Sequence, residues 1–231
     1  RGFSGTGLPY QCDSLAFGAI GFFRTYRSCL EQAGFDGLLI RAFEEIQWMR
    51  EEQISLSASF DASVYAWNHG AVHTLKEEQA AFITAPWELN SRELEPVFEA
   101  CRREGLPAEL IVYGRAPMMV SAQCITKTVK GCSKCPSLLW MKDRTGARLP
   151  VQNHCAFCYN TILNPLPVSL HGCADSVKRL APEGLRLCFT IETGEETKAV
   201  LNAFAAEFIR GENAEPPFTE FTRGHFRRGV E

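Results

Sequence analysis

The sequence predicts an α/β protein of parallel strand–helix units, a TIM-type (β/α) barrel or partial barrel carrying a cysteine-rich metal-binding module. Three observations carry this. Short apolar runs alternate with helix-spaced apolar residues up to Tyr113. The runs follow one another at roughly 17 to 28 residues, the repeat of βα units in such a barrel. Six of the ten cysteines then fall between Cys124 and Cys173, where the texture changes.

The units read as follows. Residues 21–34 predict a helix, with Phe22, Phe23, Tyr26, Leu30 and Ala33 on one face and Gly34 as its stop. Gly37-Leu38-Leu39-Ile40 is a continuous apolar run, as expected of a strand buried on both faces. Phe43, Ile46 and Met49 keep helical spacing, and Ile54 to Phe60 reads as a second strand. Ala81 to Thr84 is the third. Asn90 and Glu93 then form a capping box, opening a helix that buries Leu94, Val97, Phe98 and Cys101 and stops at Gly105. Leu110 to Tyr113 is the fourth strand. Beyond the cysteines, Ala147 to Val151 and Leu185 to Ile191 read as strands. Thr193 with Glu196 caps a last amphipathic helix through Phe208, ended by Gly211.

This divides the chain into a partial βα barrel (1–123), a cysteine-rich module (124–172), a returning strand and helix (173–211) and a polar basic tail (212–231). A closed barrel needs eight strands. Four precede Cys124, one follows Cys173, and a further candidate lies near Leu8, so the expectation is a chain lacking its first strands. The absence of an initiator Met points the same way.

With 231 residues, 45% hydrophobic and 22% charged, the chain can bury a core without staples. A net charge of −3 gives no global basic field for nucleic acid. No apolar stretch is long enough for a membrane helix, and the start lacks a signal-peptide layout. Clustered thiols without a secretion signal point to metal in the reducing cytoplasm rather than to disulfides. Cys12, Cys29, Cys101 and Cys188 are scattered and read as buried small hydrophobes.

Cys132/Cys135 and Cys155/Cys158 each have C-x2-C spacing, and the pairs are set apart as in a zinc ribbon. Zinc is one reading. A four-iron–four-sulfur cluster, with looser spacing and Cys124 as a further ligand, is the other. His154 and His171 adjoin this region as candidate ligands or as hydrogen-bonded supports of the ligands.

The run Tyr113-Gly114-Arg115-Ala116-Pro117-Met118-Met119-Val120-Ser121-Ala122-Gln123-Cys124 resembles the signature region of the collagenase-like peptidase family U32, with Glu109, Gly114 and Cys124 in register. Pro117 stands where that signature has its first cysteine, and Ala122 where it has a second glycine. Residues 34–41, Leu89-Asn90, Lys142-Asp143-Arg144, Cys155-Ala156-Phe157-Cys158 and Phe221 to Phe226 are similar as well. The resemblance implies a barrel and a divergent branch of the family. It also implies one of two activities: collagenase-like proteolysis, or cluster-dependent, oxygen-independent hydroxylation of RNA bases or quinone precursors. Carried over, the cluster ligands are Cys124, Cys132, Cys155 and Cys158, with Cys135 as the alternative.

The sequence contains no HExxH or GxSxG, which weighs against a hydrolase and in favour of cluster-dependent chemistry. No catalytic residue is assigned. Arg41, Asp61, Glu88, Asn90 and Arg115 fall at or just beyond predicted strand ends, where barrel active sites form, and are the substrate-binding candidates. RNA, a small molecule and a protein partner are the candidate partners, and no membrane is expected. Phe221, Arg223, Phe226, Arg227 and Arg228 are the tail residues suited to RNA. A third reading is a non-enzymatic, zinc-stabilised binding module.

Overall fold

The computed structural model describes residues 32–132, 138–155 and 158–228. The candidate strand near Leu8, most of the 21–34 helix, and Cys12, Cys29 and Cys135 lie outside them. The described chain is mixed α/β, with two sheets. The first contains β1 (Gly37–Ile40), β2 (Ser57–Phe60), β3 (Phe82–Thr84), β4 (Ala108–Gly114) and, from the C-terminal part, β10 (Gly184–Cys188). These five lie side by side in that order, all parallel, and β9 (Val168–Ser169) runs antiparallel to the end of β4. Among the described residues the strand order is open, with β1 and β10 at its edges, and a closed barrel is not shown.

Helices α1 (Phe43–Glu51), α2 (His69–Glu77), α3 (Ser91–Glu104), α5 (Ala174–Leu180) and α6 (Gly194–Phe204) cover the parallel sheet. Ile40, Phe60, Ile83, Leu110 and Val112 share one core with Trp48, Leu75, Leu94, Val97 and Phe98. Burying each such side chain contributes about 1.5–3 kcal/mol. Strand alternation leaves Leu39, Ser59, Thr84, Glu109 and Arg186 on the opposite face of the sheet.

Both capping boxes form. Asn90 accepts from the backbone N–H of Arg92 (2.9 Å) and Glu93 (3.1 Å), and the Glu93 carboxylate accepts from the N–H of Asn90 (2.8 Å). Thr193 and Glu196 do the same for α6. That helix continues into a π-helical turn, Ala205–Arg210.

The second sheet is antiparallel: β5 (Pro117–Ser121), β6 (Leu138–Lys142), β7 (Arg148–His154) and β8 (Tyr159–Leu163), in the order β5-β8-β7-β6. Its first strand starts before Cys124, because β4 passes directly into β5 through Gly114-Arg115-Ala116. A short helix, α4 (Ile125–Lys130), follows β5. Helices α2, α4 and α5 carry no long apolar stripe and are not foreseen in the sequence. The predicted strands 54–60 and 185–191 shorten to Ser57–Phe60 and Gly184–Cys188.

Gly114 sits where β4, β9 and β10 converge. A Cβ there would lie 2.7 Å from the Cys188 Cβ and 2.8 Å from its carbonyl oxygen. Gly114→Ala is therefore expected to cost about 1–3 kcal/mol in urea unfolding, since the clash is with backbone that cannot step aside. Asn90→Ala is expected to cost about 1 kcal/mol through the lost cap.

Candidate functional site

The face of the parallel sheet away from the helices carries a charged network. Arg186 in β10 donates through Nη1 to Asp61 (2.7 Å), to the Thr84 hydroxyl (3.1 Å) and to Glu109 (3.3 Å). Thr84 donates to Glu109 (2.7 Å). Arg41 Nε donates to the other Asp61 oxygen (3.0 Å). Arg41 and Asp61 follow the last residues of β1 and β2, and Thr84 ends β3. Two guanidiniums thus face two carboxylates across five strands. Burial opposes the charge on Arg186, but the facing acids, Asp61 and Glu109 among them, outweigh it and raise its pKa above the ordinary value. The nearby Cys188 thiol is pushed up, first by burial, so it is held as a neutral thiol rather than an activated nucleophile.

Beside this network, at the end of β4, lies a second set. Arg115 donates to the carbonyl oxygens of Asn164 (3.2 Å) and Pro165, and its Nε lies 3.8 Å from Glu192. Glu192 also accepts from the Tyr113 hydroxyl (2.9 Å) and from the backbone N–H of Thr190 (2.7 Å). The Tyr113 hydroxyl is pushed well above its usual range by burial and then by Glu192. Gln152 of β7 donates to the Thr190 carbonyl (3.3 Å), tying the two sheets together. Arg115 Nε, Glu88 Oε2, Gln152 Oε1 and Thr190 Oγ1 are buried without a hydrogen-bond partner among the described residues. Buried polar atoms are rarely left so in a native protein, and a bound water or ligand is the usual reason.

The five substrate candidates therefore separate. Arg41 and Asp61 meet in the network. Arg115 and Glu88 each bury an unsatisfied atom. Asn90 is occupied as a helix cap. Thr84, Arg186 and Glu192 were missed, and Glu109 was noticed only as part of the signature. The available signal was an arginine alternating with leucines in Leu185-Arg186-Leu187, and an acid opening the run Glu109 to Val112. A strand buried on both faces would instead be continuously apolar.

The thiols gather at the far end of the second sheet. The C-terminus of β5, the N-terminus of β8, the C-terminus of β7 and the N-terminus of β6 lie together there, because adjacent strands are antiparallel. Cys124 follows β5, Cys155 follows β7, Cys158 precedes β8, and Cys132 lies on the path to β6. Asn153 links the first two. Its Oδ1 accepts from Cys155 Sγ (3.3 Å), and its Nδ2 lies 3.8 Å from Cys124 Sγ. Cys124 Sγ also accepts from the Lys127 N–H (3.5 Å). Cys158 Sγ lies 3.9 Å from the Cys155 carbonyl oxygen, and Cys132 is exposed. No group of three or more potential ligands converges among the described residues. Thiols are donors suited to a soft metal, but the described ones meet only through Asn153 and the Cys155 carbonyl. His154 stacks on Tyr159 (4.4 Å) and bonds Thr161 (3.1 Å). His171 lies 3.3 Å from Glu207, away from these thiols.

The chain matches the model of peptidase family U32 over residues 20–164, well over half its length. The chain belongs to peptidase family U32. The matched span runs from before β1 to just after β8, so it includes Arg41, Asp61, Glu109 and all five nominated cysteines. Arg186, which completes the U32 chain's charged network, lies beyond it. No curated protein and no solved structure matches the chain. No helix among the described residues is long and apolar enough to cross a membrane.

Removing Arg186 would leave Asp61 and Glu109 facing each other without their shared cation. Arg186→Met is expected to destabilise the fold by about 3 kcal/mol in chemical denaturation, and adding Asp61→Asn should recover part of that loss.

Proposed function

We propose that this U32 protein is an iron–sulfur-dependent enzyme rather than a protease. Cys124, Cys132, Cys155 and Cys158 would hold a four-iron–four-sulfur cluster, with Cys135 as the alternative ligand. The reaction is of the oxygen-independent hydroxylation type, on an RNA base or a small molecule. The observation that carries the reading is positional: Cys124, Cys155 and Cys158 flank strand ends at one end of one antiparallel sheet, and Cys132 follows the helix that begins after Cys124. A reducing, cytoplasmic setting is part of this reading, because clustered thiols there suit a metal centre rather than disulfides.

A bound cluster would supply electron transfer and activation of an oxygen-bearing donor, work that side chains cannot do alone. The chain's own residues would do the rest. Asn153 and the Lys127 amide would orient and stabilise the thiolates. The parallel sheet is read as an arc of a TIM-type barrel. Its strands run in sequence order without the reversal of a doubly wound sheet, which supports that reading. Arg41, Asp61, Glu109 and Arg186 would then bind and orient the substrate from the barrel interior. Arg115 and Glu88 would contribute from the rim.

Metal analysis of anaerobically purified protein tests the reading. Iron with acid-labile sulfide is expected in the wild type and is expected to be lost in Cys155→Ser, because a hydroxyl is a far poorer ligand than a thiolate. Cys101→Ser, in the helix core, should keep both. Zinc alone would support a zinc-stabilised binding module instead. Peptide cleavage by Cys155→Ser at the wild-type rate would restore the peptidase reading.

A further inference from the structure

The charge of this chain is unevenly divided. Between Gly114 and Gly172 there are seven lysines and arginines and a single acid, Asp143. Between Ile191 and Glu220 there are seven glutamates and only two basic residues, Lys198 and Arg210. The net charge of −3 hides this polarity.

Both regions also expose large apolar side chains, which a monomer normally covers or scatters. Half of the exposed large hydrophobics among the described residues fall in the second sheet and α4: Met118, Met119, Val120, Val129, Leu138, Trp140 and Met141. On the edge strands β5 and β6, Met118, Met119, Trp140 and Met141 lie toward the same end of the sheet, the end carrying the β6–β7 hairpin. Lys142 and Arg148 are directly opposed across that hairpin, a like-charge pair that costs stability when nothing compensates it. Asp143 between them is committed to the turn, accepting from Thr145 and Ala147. Arg148 lies over the Trp140 ring at 5.1 Å. Tryptophan, methionine and arginine are the residue types enriched at the centres of protein–protein interfaces.

The acidic region is its counterpart. Leu201 is 46% exposed and Ile209 82% exposed on the outside of α6 and its π-helical extension. In the same stretch of chain Glu195, Glu215 and Glu220 are exposed, and Glu212, also exposed, pairs with Arg210 (2.9 Å). Both stretches thus combine exposed apolar side chains with exposed charges, of opposite sign.

We propose that the basic hairpin end of the second sheet docks the acidic α6 surface of a second copy of this chain. Trp140, on the same face as Lys142 and Arg148, would cover Leu201 and Ile209. Lys142, Arg144 and Arg148 would face Glu195, Glu212 and Glu215. The contact is heterologous, because two different surfaces meet, so it leaves one surface of each kind free unless a ring closes. It needs neither a metal centre nor a substrate, so it stands apart from the proposed activity.

Sedimentation velocity on the full chain tests this, run across a concentration series at about 50 mM and about 500 mM salt, where the screening length falls severalfold. The wild type is expected to associate at low salt and to be monomeric at high salt. Arg144→Glu/Arg148→Glu is expected to be monomeric at low salt, and so is Glu195→Lys/Glu215→Lys. An equal mixture of the two variants is expected to associate again, because each altered surface then meets its complement and the two unaltered surfaces still match. Circular dichroism checks that both variants fold, and the mixture itself guards against a folding defect. A wild type that stays monomeric at every concentration would overturn the proposal. So would a mixture that stays monomeric while the wild type associates. A monomeric wild type that binds a 20-mer oligouridylate through the same arginines would assign the basic surface to nucleic acid instead.

Discussion

One guanidinium allows the parallel sheet to be charged on one face. Arg186 reaches Asp61, Thr84 and Glu109, which come from three other stretches of the chain, and Asp61 passes the contact on to Arg41. Without that cation Glu109 would lose its countercharge and Asp61 would keep only Arg41. With it, a partly buried face holds two positive and two negative groups whose charges cancel. Such a face does not add much net stability over an apolar one, since desolvation consumes most of the attraction. Its presence in place of leucine and valine is therefore better explained by what it can hold than by what it stabilises. The helices carry the stability instead, through the continuous core of Phe60, Ile83, Phe98, Leu94 and Trp48.

The second sheet depends on the first through a short stretch of backbone. Gly114 has to pass against Cys188 with no room for a side chain, and Arg115 must then turn back onto the carbonyls of Asn164 and Pro165. These residues fix where β5 begins and where β8 ends, so they set the position of the whole antiparallel sheet. Gln152 and Glu192 complete the same junction from β7 and from the segment after β10. The thiols lie at the opposite end of this sheet.

Legibility in the sequence followed the range of the physical signal. The parallel strands were readable because a run such as Leu110-Ile111-Val112-Tyr113 reports burial locally. Both capping boxes were readable because a cap is satisfied within three residues. The antiparallel sheet was largely not, since Met118, Met119, Leu138 and Trp140 are exposed and do not alternate with polar residues as a half-buried strand should. Arg186 was invisible as a site residue because its partners lie 77 to 125 positions away. Asn90 is the opposite case: its capping duty is local, was already evident in the sequence, and occupies its side-chain oxygen.

The C-terminal segment shows how far a tail's composition can mislead about its exposure. Arg223, Phe226 and their neighbours looked suited to reach a nucleic acid. In the fold, Arg223 donates to the carbonyls of Ser169 and His171 and lies over Phe221, and Phe226 is buried. The Phe226 carbonyl accepts from Ser91 at the start of α3, and the Thr222 carbonyl accepts from Ser169 in β9. A guanidinium satisfying two backbone carbonyls serves the fold, because those oxygens would otherwise be buried unpaired. The positive charge that remains available to a partner is carried by Arg227 and Arg228 here, and by Lys142, Arg144 and Arg148 on the hairpin, where no backbone duty competes for it.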